Sequence, residues 1–370
     1  MKKSILIIST LLLATFVGCS NPSSSEPSSS ESTVVDTRTP KEKVLDLCGE
    51  IIEKNKDNKL FATTQTMSGK INISSLNSTT YIYSEDQITL ENVTIYGSTE
   101  QGDVNKTLMT LKGDYKYKHL EEYTGTEDAS LIELNNANET GSLDEKIMTV
   151  GEDFYCDLSS FFNDFFSEEE LEKAPNLMLK QENLTSIISD AIKETYPDMD
   201  TSFEIPEINP NELLEEFVSE ESLFYEYLKY SEESDGLKLK LTLKPQDFNQ
   251  LITDIVLEAD PESNIPVSTI FSMETGNMSI VFNFSEDDIA SMDVTVDGRF
   301  SVLADQYSLN VKVNGTAVNT EITQFTPFEN YTDCVPLETL GWDVGEELKD
   351  ILSSLDFETD EDSGSLFPGM

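Results

Sequence analysis

The spacing of hydrophobic and polar positions changes several times along the chain. Residues 5–17 form an apolar run broken only by Ser9, Thr10 and Thr15. After Thr39 the apolar residues Val44, Leu47, Cys48, Ile51 and Ile52 recur at helical spacing. Thr39 can cap this helix, Pro40 suits its first position, and Glu42 completes a capping box. From Met67 to about Leu158 the period drops towards two. Segments 80–83, 87–96, 107–118, 131–134 and 147–158 read as strands separated by Gly, Asn, Asp and Ser clusters. In the third of these, Tyr115, Tyr117 and His119 share one face, and Lys116 and Lys118 share the other.

Residues 161–230 return to a helical pattern. Leu184, Ile187, Ile188, Ala191 and Ile192 form one stripe. Asn209-Pro210 starts a second helix carrying Leu213, Leu214, Phe217 and Val218. Leu237, Leu239, Leu241 and Leu243 then alternate with Lys238, Lys240, Thr242 and Lys244, as in a half-buried strand. Pro245 opens a helix with Phe248, Leu251, Ile252 and Ile255 on one side. Met278, Ile280, Phe282 and Phe284 begin a meander. Within it Asp297-Gly298 and Asn314-Gly315 are read as hairpin turns, because such pairs favour the positive φ of tight turns.

This order predicts an α+β fold. Sequential hairpins imply an antiparallel sheet with one face covered, and the amphipathic helices must bury a face against it. The simplest arrangement is one strongly curved sheet of about eleven strands, a half-barrel with helices across its concave face. Two smaller α+β domains divided near residue 200 are the alternative.

The amino-terminal run has the layout of an export signal: Lys2 and Lys3, then the apolar stretch, with no acidic residue before Glu26. As a helix it spans about 20 Å, and a bilayer core needs about 20 residues, so a permanent transmembrane anchor is not expected. The run ends Phe16-Val17-Gly18-Cys19, which resembles the lipobox of bacterial lipoproteins. That resemblance implies lipid transfer to the Cys19 thiol, cleavage between Gly18 and Cys19, and acylation of the new amino terminus. Two or three acyl chains give stable anchoring where one is marginal. Phe16 stands where the lipobox usually has Leu. Between Ser20 and Thr33 there are eight serines in fourteen residues, together with Asn21, Pro22 and Pro27. Such a segment reads as a flexible tether with a root-mean-square reach of roughly 20 Å.

Charge narrows the partners. The chain carries 24 basic and 71 acidic residues, a net charge of −47. Phosphate contact needs a basic surface, so no nucleic-acid partner is expected. Anionic membrane surfaces also repel the chain, which leaves the lipid on Cys19 as its membrane contact. Neither Asp198 nor Asp356 starts a calcium loop, since Phe203 and Glu361 stand where the turn needs Gly. With Cys19 lipidated, Cys48, Cys156 and Cys334 remain. An odd number makes no disulfide framework, and Cys48 and Cys156 fall on apolar faces, so buried free thiols are expected. One bridge among the three stays open.

Enzyme chemistry finds little footing. The chain has one histidine, His119, and no GxSxG, HExxH, CxxC, Walker or dinucleotide motif. No metal or cofactor is expected. A carboxylate-pair hydrolase needs only two acids. It remains a weaker alternative with no pair singled out. The aromatic cluster Phe161, Phe162, Phe165 and Phe166 is the local feature to weigh as a ligand-binding lip or lining, against plain core packing.

Element order, lipid anchor and a core spanning about residues 39–325 resemble the LolA-like and LppX/LprG-like lipoprotein carriers. In those half-barrels the cavity between sheet and helices holds acyl chains. No short motif carries the likeness, so no functional residue is transferred by it. An added segment, with the sole Trp342 and a helix at 344–355, distinguishes this chain. The expected organisation is a signal peptide at 1–18, a lipidated tether at 19–38, one domain at 39–355 and an acidic, disordered tail at 356–370. The resemblance implies a non-catalytic lipoprotein on the extracytoplasmic face of the cell membrane, binding a lipid or other hydrophobic ligand. A surface interaction protein with no small ligand is the alternative.

Overall fold

A computed structural model describes residues 37–77, 80–125, 134–158, 167–174, 176–195, 214–215, 217–259, 271–285, 288–302 and 306–354. Several sequence expectations fall outside these residues. They are the Gly18–Cys19 cleavage and lipidation site, the serine tether, Phe161, Phe162, Phe165 and Phe166, the Asn209-Pro210 helix start, and the acidic tail.

One twelve-stranded sheet organises the chain. It contains β1 (Leu60–Asn77), β2 (Ile82–Glu100), β3 (Lys106–Tyr123), β4 (Ala137–Val150), β5 (Asp153–Asp157), β6 (Met178–Gln181), β7 (Leu228–Glu233), β8 (Gly236–Leu243), β9 (Phe271–Phe284), β10 (Ile289–Val302), β11 (Tyr307–Asn319) and β12 (Val335–Pro336). Their spatial order is β12-β6-β5-β4-β3-β2-β1-β11-β10-β9-β8-β7. Every pairing is antiparallel except β12 with β6. The closing step is β1 against β11, which joins an amino-terminal meander to a carboxy-terminal one. The α+β half-barrel is thus the observed class, with twelve strands rather than about eleven. The sheet is curved and does not close.

Bulges bend it. Register shifts occur at Met67/Gly69 in β1 and Glu91/Thr94 in β2. Others occur at Ile289/Ser291 and Arg299/Phe300 in β10. Each extra residue increases local twist and turns the strand. At the β1–β2 bulges the Asn92 N–H donates to Ser68 Oγ at 3.1 Å, which satisfies a group the ladder leaves over.

Both Gly-containing pairs read as turns lie inside strands, and the correction has a steric cause. Gly298 sits in β10 directly opposite Gly276 of β9. Gly276 has φ +99°, and a Cβ there would stand 2.0 Å from the Asp297 carbonyl oxygen. Gly315 sits in β11 opposite Met67, where a Cβ would meet the Gln65 Nε2 at 3.0 Å. Close approach, not chain reversal, requires these glycines. The 161–230 segment is corrected too, since β6 and the start of β7 fall within it. Of segment 131–134 only Leu134 is described, and it is not in a strand.

Five helices are described with both ends: α1 (Pro40–Asn55), α2 (Glu168–Lys173), α3 (Leu184–Thr195), α4 (Pro245–Ala259) and α5 (Val344–Ser354); Leu214, Glu215, Phe217 and Val218 are helical as well. The Thr39–Glu42 capping box of α1 forms as the sequence implies. Val44, Leu47, Cys48 and Ile51 on α1 join Phe248 and Leu251 of α4 over Leu239, Leu241, Phe282 and Val294 of the sheet. Each fully buried aliphatic side chain of this kind stabilises by about 1.5–3 kcal/mol. Asn249 of α4 clamps the backbone of Met273, accepting from its N–H at 2.8 Å and donating to its carbonyl at 3.0 Å. Among the described residues no helix is long and apolar enough to cross a membrane.

After β11 the chain crosses the opposite, convex face. Phe325, Phe328, Tyr331 and Cys334 pack there on Tyr96, Leu108, Met148 and Tyr155. It then wraps the β6 edge. Val335, Leu337, Leu340 and Trp342 return onto Cys156 and Leu179. The Trp342 Nε1–H donates to Glu170 Oε1 at 2.6 Å, tying this segment to α2. Covering a sheet edge in this way removes unpaired backbone groups that would otherwise recruit another chain.

Candidate functional site

The helix-covered face can be followed strand by strand, because alternation and register fix which residues share it. On β8, β9, β10 and β11 it carries Leu241, Ile280, Val294 and Gly315 in one cross-strand row. The neighbouring row runs from Ala317 through Gln65 and Ile95 to Leu111 and Glu145. Helices α1 and α4 bury the β7–β11 flank. At the other flank Ala174, just after α2, and Leu340 sit with Cys156 and Leu179.

Between these flanks the concave face stays apolar but less covered. Met67, Val93, Ile95, Tyr115 and Leu143 form a small buried cluster. Beside it Ile71, Ile73 and Ile88 are half-buried, as are Leu309 and Val311, which border the cluster under α1 and α4. Ile71 stands between Val311 and Ile88 in the ladder, so these side chains make one continuous strip.

Polar groups bound the strip at both ends. At one end Asp86 lies opposite His119. Asp86 Oδ1 accepts from the Tyr117 hydroxyl at 2.6 Å and lies 2.8 Å from His119 Nδ1. His119 Nε2 is 3.6 Å from a Glu121 oxygen. Burial first, then the Asp86 hydrogen bond and the charges of Asp86 and Glu139, push the Tyr117 phenol well above its ordinary range. Tyr117 is therefore a neutral donor that orients Asp86, and Asp86 in turn holds the imidazole.

At the other end Thr63, Gln65 and Asn319 share the concave face. Thr63 is 6 % exposed and Gln65 5 %. Asn319 donates its Nδ2–H to the Ile289 carbonyl at 3.4 Å, while its Oδ1 is buried with no donor. Reading the sequence missed Gln65 and Thr63. The available signal was a break in alternation: β1 reads Phe61, Thr63, Gln65, Met67 on its inward positions, two polar residues where apolar ones are the rule.

The thiols are inert. Cys48, Cys156 and Cys334 are all free and buried. Burial pushes Cys48 up to about 12 and Cys334 to about 11, and Cys156 higher still. Among the described residues no group of three or more His, Cys, Asp or Glu side chains is placed to hold a metal. A shallow indentation of about 640 Å³ lies on α1, lined by Leu45, Asp46, Gly49, Glu50, Glu53 and Lys54. None of these residues belongs to the concave strip.

Fold and face together define an open α+β half-barrel with an apolar concave strip. Neither a family model nor a curated relative matches the chain. Among solved structures a match is found to the crystal structure of a β-barrel-like protein of domain of unknown function DUF1849 from Brucella abortus. It is 6 % identical and covers 71 % of this chain and 99 % of that one, with a TM-score of 0.15. A likeness that slight carries no argument about function.

Proposed function

We propose that the protein is a lipid-anchored bacterial surface protein that binds a lipid or other hydrophobic molecule on its concave face, without catalysis. One observation carries the binding half of this reading. The apolar strip around Ile71, Ile73 and Ile88 lies between the flank covered by α1 and α4 and the β5–β6 flank packed by Ala174 and Leu340, and it is only half-buried. A concave apolar surface of this kind excludes water from a hydrocarbon chain and is the usual form of a small-molecule site. The anchoring half rests on the lipobox-like Phe16-Val17-Gly18-Cys19 and the serine tether behind it.

Native mass spectrometry on protein purified without detergent tests the binding half. The expected result is a population heavier by the mass of one lipid-sized molecule. Protein that is ligand-free, and stays so when incubated with mixed membrane lipids, would sink it. For the anchor, Cys19→Ala is expected to release the protein from membranes or leave an unprocessed precursor. Unchanged processing and membrane retention would show that Cys19 is not the anchor.

A further inference from the structure

We propose that the ligand of the concave face is a neutral amphiphile whose hydroxyl or amide group is held by Gln65, with Thr63 and Asn319 beside it. This rests on the binding reading above and names the head group that the hydrophobic molecule carries.

Gln65 is a primary amide at 5 % exposure on the inner face, flanked in the ladder by Ala317 and Ile95. Among the described residues its side chain has no hydrogen-bond partner, and neither does that of Thr63. Most buried side-chain amides are paired, and the Gln65 and Thr63 polar atoms, unlike Asn319 Oδ1, are not fully sealed from solvent, so they can meet a ligand. Space is kept for it as well. The Gln65 Nε2 lies over Gly315, where any Cβ would approach it to 3.0 Å. Asn319, the residue paired with Thr63, adds a second observation, a buried Oδ1 with no donor. The two amides are diagonal neighbours across β1 and β11, a separation of about 7–8 Å that one small polar group can bridge.

The chemistry of the three side chains selects the head group. Gln65 offers two N–H donors and an acceptor, Thr63 a hydroxyl that does both, and Asn319 an acceptor that needs a donor. None of the three is charged. A carboxylate or phosphate would meet no cation here and would be repelled by a chain of net charge −47. An ammonium would be stranded among Met67, Ile95 and Ala317 with no carboxylate in the set. An ester accepts but cannot satisfy Asn319 Oδ1. A hydroxyl or an unsubstituted amide both donates and accepts, and its hydrocarbon tail follows the apolar strip towards Ile71 and Ile88.

Competition against diphenylhexatriene, a pure hydrocarbon dye, tests this with three ligands of one chain length: dodecanamide, methyl dodecanoate and dodecanoate. Wild-type protein is expected to bind the dye and to release it to dodecanamide at about tenfold lower concentration than to the other two. Gln65→Leu should erase the preference for the amide over the ester, with each competition referred to that variant's own affinity for the dye. Gln65→Met, closer in shape, repeats the measurement on a second variant, with far-ultraviolet circular dichroism confirming the fold of each. Equal competition by amide and ester in wild type, or an amide preference that survives in both folded variants, overturns the proposal while leaving hydrophobic binding in place. Wild-type protein that binds neither the dye nor any of the three ligands overturns the binding reading and this inference with it.

Discussion

The β7–β11 flank and the centre of the concave face share one sequence pattern and differ in what covers it. On the flank, Leu239 and Leu241 lie under Ile51 of α1 and Leu251 of α4, and all four are buried. In the centre, Ile71 and Ile88 occupy equivalent inward positions yet remain half-buried. Alternation therefore tells which side of a strand is apolar. It does not tell whether the chain itself or another molecule completes the contact. Polar residues sharpen the contrast: the inward positions of β8 are all leucines, whereas those of β1 include Thr63 and Gln65.

The flank should carry the stability. Leu239→Ala removes a side chain that is fully enclosed between sheet and helices, and such truncations cost about 2–5 kcal/mol. Urea denaturation measures it. A loss well under 1 kcal/mol would mean that α1 and α4 do not hold the sheet as described.

Much of this flank was legible in the sequence. The Thr39–Glu42 capping box, the α1 stripe, the leucine alternation of β8 and the Pro245 helix start are local signals, and each appears where the pattern places it. The curved antiparallel class followed from them. The misreadings share a cause: the deciding contact is distant in sequence. Asn314-Gly315 has the chemistry of a turn, but Gly315 is needed because Gln65, 250 positions earlier, lies across it. The Asp297-Gly298 pair is likewise settled by Gly276 on the neighbouring strand. Strands β6 and β7 are short and lie in a stretch rich in helix formers, so pairing with β5 and β8 overrides local propensity. Thr63 and Gln65 went unnoticed because a polar inward residue acquires meaning only once its neighbours are known to be buried.

Gly315→Ala probes the boundary between the two regions. The new methyl would sit 3.0 Å from Gln65 Nε2, 3.1 Å from the Thr66 carbonyl oxygen and 3.3 Å from the Met67 Cβ. The side-chain amide can swing away, but the backbone oxygen cannot, so a destabilisation of about 1–3 kcal/mol is expected from overpacking. Thermal and urea unfolding check this. A neutral substitution would show that the β1–β11 seam has slack, and the reason for glycine at that position would be lost.

The smallest stability effect is expected at the centre of the strip, and it distinguishes the regions most sharply. Ile71→Ala deletes about as many methyl groups as Leu239→Ala, from the same face of the same sheet. Ile71 already meets solvent on one side, so less apolar area leaves water on folding and no closed cavity forms. A loss of about 1 kcal/mol or less follows. The same substitution shortens the apolar strip, and diphenylhexatriene binding should weaken several-fold while the melting temperature barely moves. Leu239→Ala should do the reverse, lowering stability and leaving dye affinity of the folded protein nearly unchanged. If Ile71→Ala proves as costly to stability as Leu239→Ala, the centre is packed like the flank. The half-burial of Ile71 would then reflect a poorly filled core and not a surface awaiting a ligand.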